Sequence, residues 1–417
     1  MNIKAQIKRL PILVMLLLIL QTQAQTTNTG EMVILPNTQV SLVNNFNNTT
    51  SGNMLNDGEL FVYANFNNDG AVDFINEGLT SFQGTSTQQI TGANESFFYN
   101  AIFSNTSAIA PFQLSGKITI DNESEFDEGV IDNANFGGSF TFLNDADHVS
   151  ASDNSHVDGE VVKVGDTSFE FPVGNGGFYN PVNMNAPDLA TDTYTAQYFL
   201  EDSNTTATPH NLAAGIIEQI DNTEHWVVNR TSGSSDVLIT LRWDADTSPA
   251  FINDADPEAI HIVRWDDAQG FWVNEGGIPD AANQTITTIA PVTGYGIFTL
   301  GTVKTDLVLP DDLVIYTAVS PNSNDKNDFF FIDGIDRYPN NTVKIFNRWG
   351  VEVFKTSGYN ETDNVFKGFS DGRITVSNSK LLPTGTYYYI LEYEFPGNAT
   401  VAAQRVKKAG FLYITTN

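Results

Sequence analysis

The chain contains no cysteine. Disulfides, thiolate metal sites and cysteine nucleophiles are therefore excluded, as is a lipid-modified N-terminal cysteine. Base is scarce: 20 Lys and Arg stand against 50 Asp and Glu, for a formal charge of −30. A field of that sign repels phosphate backbones, so no nucleic-acid partner is expected. Between Gly30 and Glu160 the only Lys or Arg is Lys117. The five histidines, His148, His156, His210, His225 and His261, show no His-Glu-x-x-His or equivalent zinc spacing. There is no Gly-x-Ser-x-Gly elbow and no Gly-rich phosphate loop. Beyond residue 20 no apolar run approaches the roughly 20 residues that cross a bilayer.

What is present begins with a charged and then apolar N-terminus. Lys4, Lys8 and Arg9 precede an apolar run from Leu10 to Leu20, and Thr22-Gln23-Ala24 supplies small residues. This is the pattern of a signal peptide, residues 1–24, with cleavage after Ala24. The apolar run is too short to span a membrane, so the mature chain is expected to hold no transmembrane helix. The hydrophobic content of 41% supports packed cores, and 417 residues suffice for two to four domains.

Residues 25–160 are rich in Asn and Gly. An Asn-acid-Gly triplet recurs at Asn56-Asp57-Gly58, Asn68-Asp69-Gly70 and Asn76-Glu77-Gly78. Short apolar runs lie between, such as Leu60 to Tyr63, Val72 to Ile75, Ile118 to Ile120 and Ser139 to Phe142. Asn and Gly tolerate left-handed turns, so short strands at about ten-residue spacing fit hairpins or the rungs of a β-solenoid. The solenoid is the favoured reading. Some solenoids act on polysaccharides, but a lyase needs a base, commonly Lys or Arg, and the single lysine of this segment makes that a poor reading. A hydrolase needs two carboxylates roughly 5 to 9.5 Å apart, and Asp69, Asp73 and Glu77 are the candidates. Acidic clusters at Asp121 to Glu128 and Asp145 to Asp147 leave calcium open as a ligand, although neither has EF-hand spacing. Solvated loops are the commoner fate of such clusters, and no cofactor is expected.

Residues 161–303 show longer strands: Val161 to Val164, Ser168 to Val173, Tyr194 to Leu200, His225 to Asn229, Val237 to Trp243, Ala259 to Trp265, Gly270 to Asn274, Thr285 to Ile289 and Gly296 to Leu300. Their number and spacing predict a β-sandwich. Trp226, Trp243, Trp265 and Trp272 all lie here. An exposed line of such rings would hold sugars, whereas sandwich cores also need large aromatics. The repeated Arg242-Trp243-Asp244 and Arg264-Trp265-Asp266 would equally serve as strand-end ion pairs capping a buried ring. Residues 304–318, with Asp306, Pro310, Asp311 and Asp312, read as a linker.

The last hundred residues carry an ordered series of motifs. Pro321-Asn322 and Asn327-Asp328 bracket a turn-rich run. Gly334, Tyr338-Pro339, Asn347-Arg348-Trp349-Gly350, Gly358-Tyr359 and Pro383-x-Gly385-Thr386-Tyr387 follow. Thr342 to Asn347 alternates with Val343 and Ile345 on one face, Val351 to Lys355 continues it beyond a Gly turn, and Thr386 to Phe395 pairs with Val401 to Ile414. These predict a small Ig-like β-sandwich over residues 319–417. Trp349 reads as a core ring, with a cation–π stack on Arg348 as the alternative. The series resembles the gliding motility-associated C-terminal domain of Bacteroidetes, the type B sorting domain of the type IX secretion system. It departs from that pattern where the family has Gly-Asp-Gly (here Ser323, Asn324 and Asp325) and Trp-Asp-Gly (here Phe366-Lys367-Gly368). The resemblance implies export to the cell surface or medium, with the type IX translocon and attachment machinery as partners.

The expectation is an all-β protein: a short solenoid-like N-terminal region, a central sandwich and a C-terminal sorting domain. The passenger is expected to be a non-enzymatic adhesin-like or structural protein, with an extracellular glycan or surface protein as a further partner. The alternatives are a glycan-active hydrolase or a carbohydrate-binding protein carrying the same tail.

Overall fold

The computed structural model describes residues 25–72, 75, 77–214, 216–303, 313–321, 327–370, 381–395 and 404–416. The expected signal peptide, Asp73, Asn76, Asn322 and residues 304–312 of the expected linker lie outside the described residues.

From Gln25 the chain winds as a three-sided parallel β-solenoid. Its first face stacks Gln25–Asn28, Asn45–Asn48, Phe66–Asn68, Gln88–Thr91, Phe112–Leu114, Ile131–Asp132, Val157–Asp158 and Val173–Asn175, each parallel to the next. The second face runs from Glu31–Ile34 through Asn53–Asn56 and Ala71–Val72 to Ser139–Phe142 and Val161–Val164. The third runs from Gln39–Leu42 through Glu59–Val62 and Leu79–Gly84 to Asp147–Val149. Two long strands, Glu95–Asn105 and Lys117–Glu128, turn the corner between the second and third faces.

The solenoid interior explains the sequence pattern. Inward positions place one phenylalanine above another: Phe46 on Phe66, then Phe82, Phe98, Phe103 and Phe112, with ring centroids 5.2 to 6.0 Å apart. At the end of the first-face strands Asn28, Asn48 and Asn68 form an internal ladder. Asn28 Nδ2 donates to Asn48 Oδ1 at 2.9 Å, Asn48 Nδ2 to Asn68 Oδ1 at 2.8 Å and Asn68 Nδ2 to the Ser96 hydroxyl at 3.0 Å. Asn48 and Asn68 are fully buried, so these bonds are required to offset amide desolvation. The glycine of the triplet has a different role from the one expected. Gly58 and Gly70 do not take positive φ. They sit where one coil touches the coil before it: a Cβ on Gly70 would lie 2.2 Å from the Gly52 carbonyl oxygen. The first two triplets thus each supply an inward amide, an outward acid and a contact too close for any side chain.

Facing outward on the first face are uncharged amides and hydroxyls in two columns. Thr27, Asn47, Asn67 and Thr91 are in register in one, and Gln25 with Asn45, then Gln89 with Gln113, in the other. Asn67 Nδ2 donates to Asn47 Oδ1 at 2.8 Å, the Thr91 hydroxyl to Asn67 Oδ1 at 2.7 Å and Gln89 Nε2 to Gln113 Oε1 at 3.4 Å.

The parallel ladder does not stop at residue 160, where the sequence reading places a boundary. Val161–Val164 is both the last parallel strand of the second face and the first antiparallel strand of the sandwich, pairing with Thr193–Phe199. One strand thus serves both units because its two backbone edges take partners of opposite direction. Thr193–Phe199 pairs on with His225–Ser232, Gly296–Val303, Ile260–Asp266 and Phe271–Gly276 in sequence. The opposing sheet orders Phe169–Phe171, Val182–Met184, Ile239–Arg242, Thr285–Thr287 and Ile278–Asp280. Side chains of both sheets and of the solenoid interior belong to one buried apolar cluster, from Ile34 through Phe103 to Leu300.

The C-terminal unit is a five-stranded sheet in the order Ala318–Val319, Gln404–Ile414, Gly385–Phe395, Asn341–Phe346, Glu352–Ser357. The two-stranded ribbon of Val314–Ile315 and Ile332–Asp333 lies beside it, and Phe330, Ile332 and Ile335 join its sheet in a separate core. Its outer face meets the sandwich: Phe346 and Ile390 pack with Ile289 and Ala290, and Lys407 Nζ lies 3.3 Å from Glu275 Oε2.

Candidate functional site

The C-terminal motif residues divide into those that shape the domain and those it presents. Gly334, Gly350 and Gly358 take φ of 85°, 76° and 67°, which favours glycine at each. Asn327 takes φ of 56°, and its carbonyl accepts from Ser320 N at 2.6 Å. Tyr359 is buried. Its hydroxyl donates to the Phe330 carbonyl and accepts from Phe366 N at 3.0 Å. Its N–H donates to Asn341 Oδ1 at 2.7 Å, while Asn341 Nδ2 donates to the Tyr338 and Tyr359 carbonyls at 2.8 Å. Phe366, standing where the resembled family has Trp, is fully buried against Phe354 at 5.0 Å. Tyr338 packs on Tyr393 at 4.8 Å, and the Tyr387 hydroxyl donates to the Pro383 carbonyl at 3.0 Å. Pro321 and Asp328 are half-buried, whereas Pro339 and Thr386 are exposed and Gly385 opens its strand.

Trp349 is not the core ring the sequence suggested: it is 65% exposed. It sits at a hairpin tip outside the reach of the sheet's apolar face. Asn347 Oδ1 holds that tip by accepting from Trp349 N at 2.9 Å and Val351 N at 3.0 Å. The Arg348 guanidinium stacks 4.3 Å from the indole centroid. This cation–π pair is offered to solvent. The domain also differs electrically from the rest. Residues 313–417 hold 11 basic and 10 acidic residues, against 6 and 40 in residues 25–312.

Of the carboxylates singled out in the passenger, Asp69 and Glu77 are turn acids, and Asp73 lies outside the described residues. Asp69 accepts from Asn67 Nδ2 at 2.9 Å and Ala93 N at 3.0 Å, and these bonds hold it below the usual carboxylate range. That favours the ionised form and disfavours a general acid. Glu77 N donates to Asp57 Oδ1 at 3.2 Å, which ties one turn to the next. Among the described residues no group of three or more His, Asp or Glu is placed to hold a metal ion.

The titratable groups that sequence reading missed are Asp221 and Glu224, both fully buried in the sandwich. Asn180 Nδ2 and the Tyr198 hydroxyl donate to Glu224 Oε2 at 2.8 and 2.7 Å, and the Ser248 hydroxyl donates to Oε1. Asp221 Oδ1 accepts from Thr223 N at 2.8 Å, Thr223 Oγ1 at 2.7 Å and Glu224 N at 3.2 Å, whereas Oδ2 is buried with no partner among the described residues. Burial first, and then the neighbouring Glu224 charge, push Asp221 up to about 7. The only sequence signal was the Asp-x-Thr-Glu turn: Asp221 takes its donors from that turn, whereas those of Glu224 come from residues more than 20 positions away.

Two clefts lie nearby. One of about 570 Å³ is lined by His210, Glu218, Asn222 and Phe251, and neither buried acid reaches it. Ser203, His210 and Asp202 meet at its edge but do not form a catalytic triad. The Ser203 hydroxyl at 2.9 Å and Asp202 Oδ1 at 3.7 Å both approach Nε2, and among the described residues no group orients the other nitrogen. The other, about 320 Å³, lies against the last coil and is lined by Asp147, His148 and Glu170. Here His148 Nε2 lies 2.8 Å from the Glu170 carbonyl, and burial holds the ring below its ordinary pKa. Nearby, Lys163 Nζ donates to the Leu143 and Ala146 carbonyls at 2.7 and 2.6 Å, and burial brings it down to about 8.

The four sandwich tryptophans are all buried, Trp226 and Trp272 completely. They form no exposed sugar platform. The Arg-Trp-Asp repeats are strand-end ion pairs: Arg242 with Asp244, and Arg264 with Asp266 at 3.3 Å and Glu275 at 3.0 Å.

Comparison with curated proteins and with solved structures returned no match. Residues 313–414 match the family described as CHU_C Type IX secretion signal domain. That span opens at the first strand of the C-terminal unit and closes with its last. The chain therefore carries a C-terminal sorting domain of the type IX secretion system and is a secreted or cell-surface protein.

Proposed function

We propose that residues 25–303 are a non-enzymatic, adhesin-like or structural passenger. A cleaved signal peptide takes it across the inner membrane, and the type IX translocon and attachment machinery of a Bacteroidetes cell display it. The build of the passenger carries this reading. Solenoid and sandwich share one core, giving a stiff acidic body. Its most perturbed carboxyl pair, Asp221 and Glu224, is sealed from solvent and engaged by donors on four strands and loops. A hydrolase would require that pair to face a substrate, which makes the glycan-active enzyme the second reading. The test is incubation of the mature full chain with a panel of polysaccharides and assay for new reducing ends. The proposal expects none, and their release would overturn it.

A further inference from the structure

We propose that the outward side of the solenoid's first face is a binding surface for a neutral polysaccharide. This rests on the non-enzymatic reading above and names the ligand class of that passenger. The first observation is electrical. In a segment where acids outnumber bases heavily, the outward positions of the first five strands of this face carry only amides and hydroxyls. Of the acids of the same coils, Glu59, Glu123 and Asp127 lie on the third face, and Asp69 stands at a turn on the rim of the grid, where it accepts from Asn67; beyond Gln113 the second column continues into Asp132 and Asp158, so the uncharged grid is confined to the first five strands. A surface kept uncharged on a body this acidic suits a partner without charge, since an anionic chain would meet the field of the flanking acids.

The second observation is geometric. Parallel strands stand about 4.8 Å apart, and alternate residues along a strand about 6.6 Å, so the two columns form a regular grid. The amides are fixed in it. Asn47, Asn67 and Thr91 are hydrogen-bonded to one another, as are Gln89 and Gln113. Side chains already ordered lose little rotamer freedom on contact, which lowers the entropic cost of binding. Each amide offers up to four hydrogen-bonding positions and each hydroxyl three, and the ladder uses only some of them. A flat, repeated array of donors and acceptors matches a flat, repeated array of hydroxyls, the chemistry of packed polysaccharide chains. Buried tryptophans leave no competing aromatic platform in the sandwich.

The test uses the mature full chain and sedimentation with insoluble cellulose, chitin and a neutral β-glucan, with gelled alginate as the anionic comparison. The wild type is expected to be retained on at least one neutral polymer and not on alginate. The double substitution Gln89→Glu and Thr91→Glu puts two charges on the grid without touching the core, and retention should fall at least tenfold. Glu123→Gln with Asp127→Asn, on the third face, should leave retention unchanged. Matching urea midpoints would show that both variants fold. Equal retention by the grid variant, retention on alginate alone, or no retention on any neutral polymer would each overturn the proposal. So would shaping of ice crystals without polysaccharide retention, which would make frozen water the lattice recognised. Release of reducing ends would instead overturn the non-enzymatic reading, so the two failures are distinct.

Discussion

Asp221→Asn offers a quantitative check on the buried acid pair. In the folded chain Asp221 is raised to about 7, by burial first and by Glu224 second. In the unfolded chain it returns to about 3.9. Between those values the folded state keeps a proton that the unfolded state has lost, so stability falls as pH rises through the window. Three pKa units at about 1.36 kcal/mol each set a ceiling of about 4 kcal/mol on this cost. It is absent below about pH 4 and fully present above about pH 7. The variant keeps an acceptor for the Thr223 and Glu224 amides and loses the charge. Its new amide stands where Oδ2 lacks a partner, at a cost of about 1–3 kcal/mol that does not vary with pH. Relative to wild type, Asp221→Asn should therefore gain up to about 4 kcal/mol on going from about pH 4 to about pH 8. Urea unfolding followed by tryptophan fluorescence reads this well, because four of the five tryptophans are buried in the sandwich. A stability difference that stays constant with pH would refute the assignment.

Gly70→Ala should destabilise the solenoid by more than an ordinary surface change, because its Cβ would fall 2.2 Å from the Gly52 carbonyl oxygen; loss of amide-exchange protection in the adjoining coils measures it. Phe103→Ala removes a fully buried ring that contacts Phe82 and Phe112 and should cost about 3–5 kcal/mol in urea unfolding. Trp349→Ala should leave stability within about 0.5 kcal/mol while removing the red-shifted, quencher-accessible emission, since that ring alone among the tryptophans is exposed.

The tail was legible because its signals are local. Asn347 to Gly350 closes a two-strand hairpin through its own backbone and one side chain, and strands at Thr342 and Thr386 begin within a residue of their observed starts. The solenoid was legible in kind, because Asn-acid-Gly triplets and short apolar runs recur along residues 25–160. Its coil length was harder to read: Phe66 sits 20 residues beyond Phe46, but Ile90 sits 24 beyond Phe66, since corner loops vary while the ladder holds register. Trp349 was misjudged because apolar content alone does not separate a core ring from one at a hairpin tip. The strands Val182–Met184 and Ile217–Ile220 were missed because each is short and alternates weakly, and only pairing across the sandwich defines them. Glu224 carries no local mark of burial, because its partners Asn180, Tyr198 and Ser248 are brought in by tertiary structure, and the local turn that bonds Asp221 is equally common at a surface.

The central claim is that residues 313–414 address this protein to the type IX system. The most direct measurement is fractionation of the native host expressing the chain with and without residues 313–417. The full chain should appear at the cell surface or in the medium, and the truncated chain should accumulate inside the outer membrane as a folded passenger. Equal surface display of the truncated chain would contradict the account.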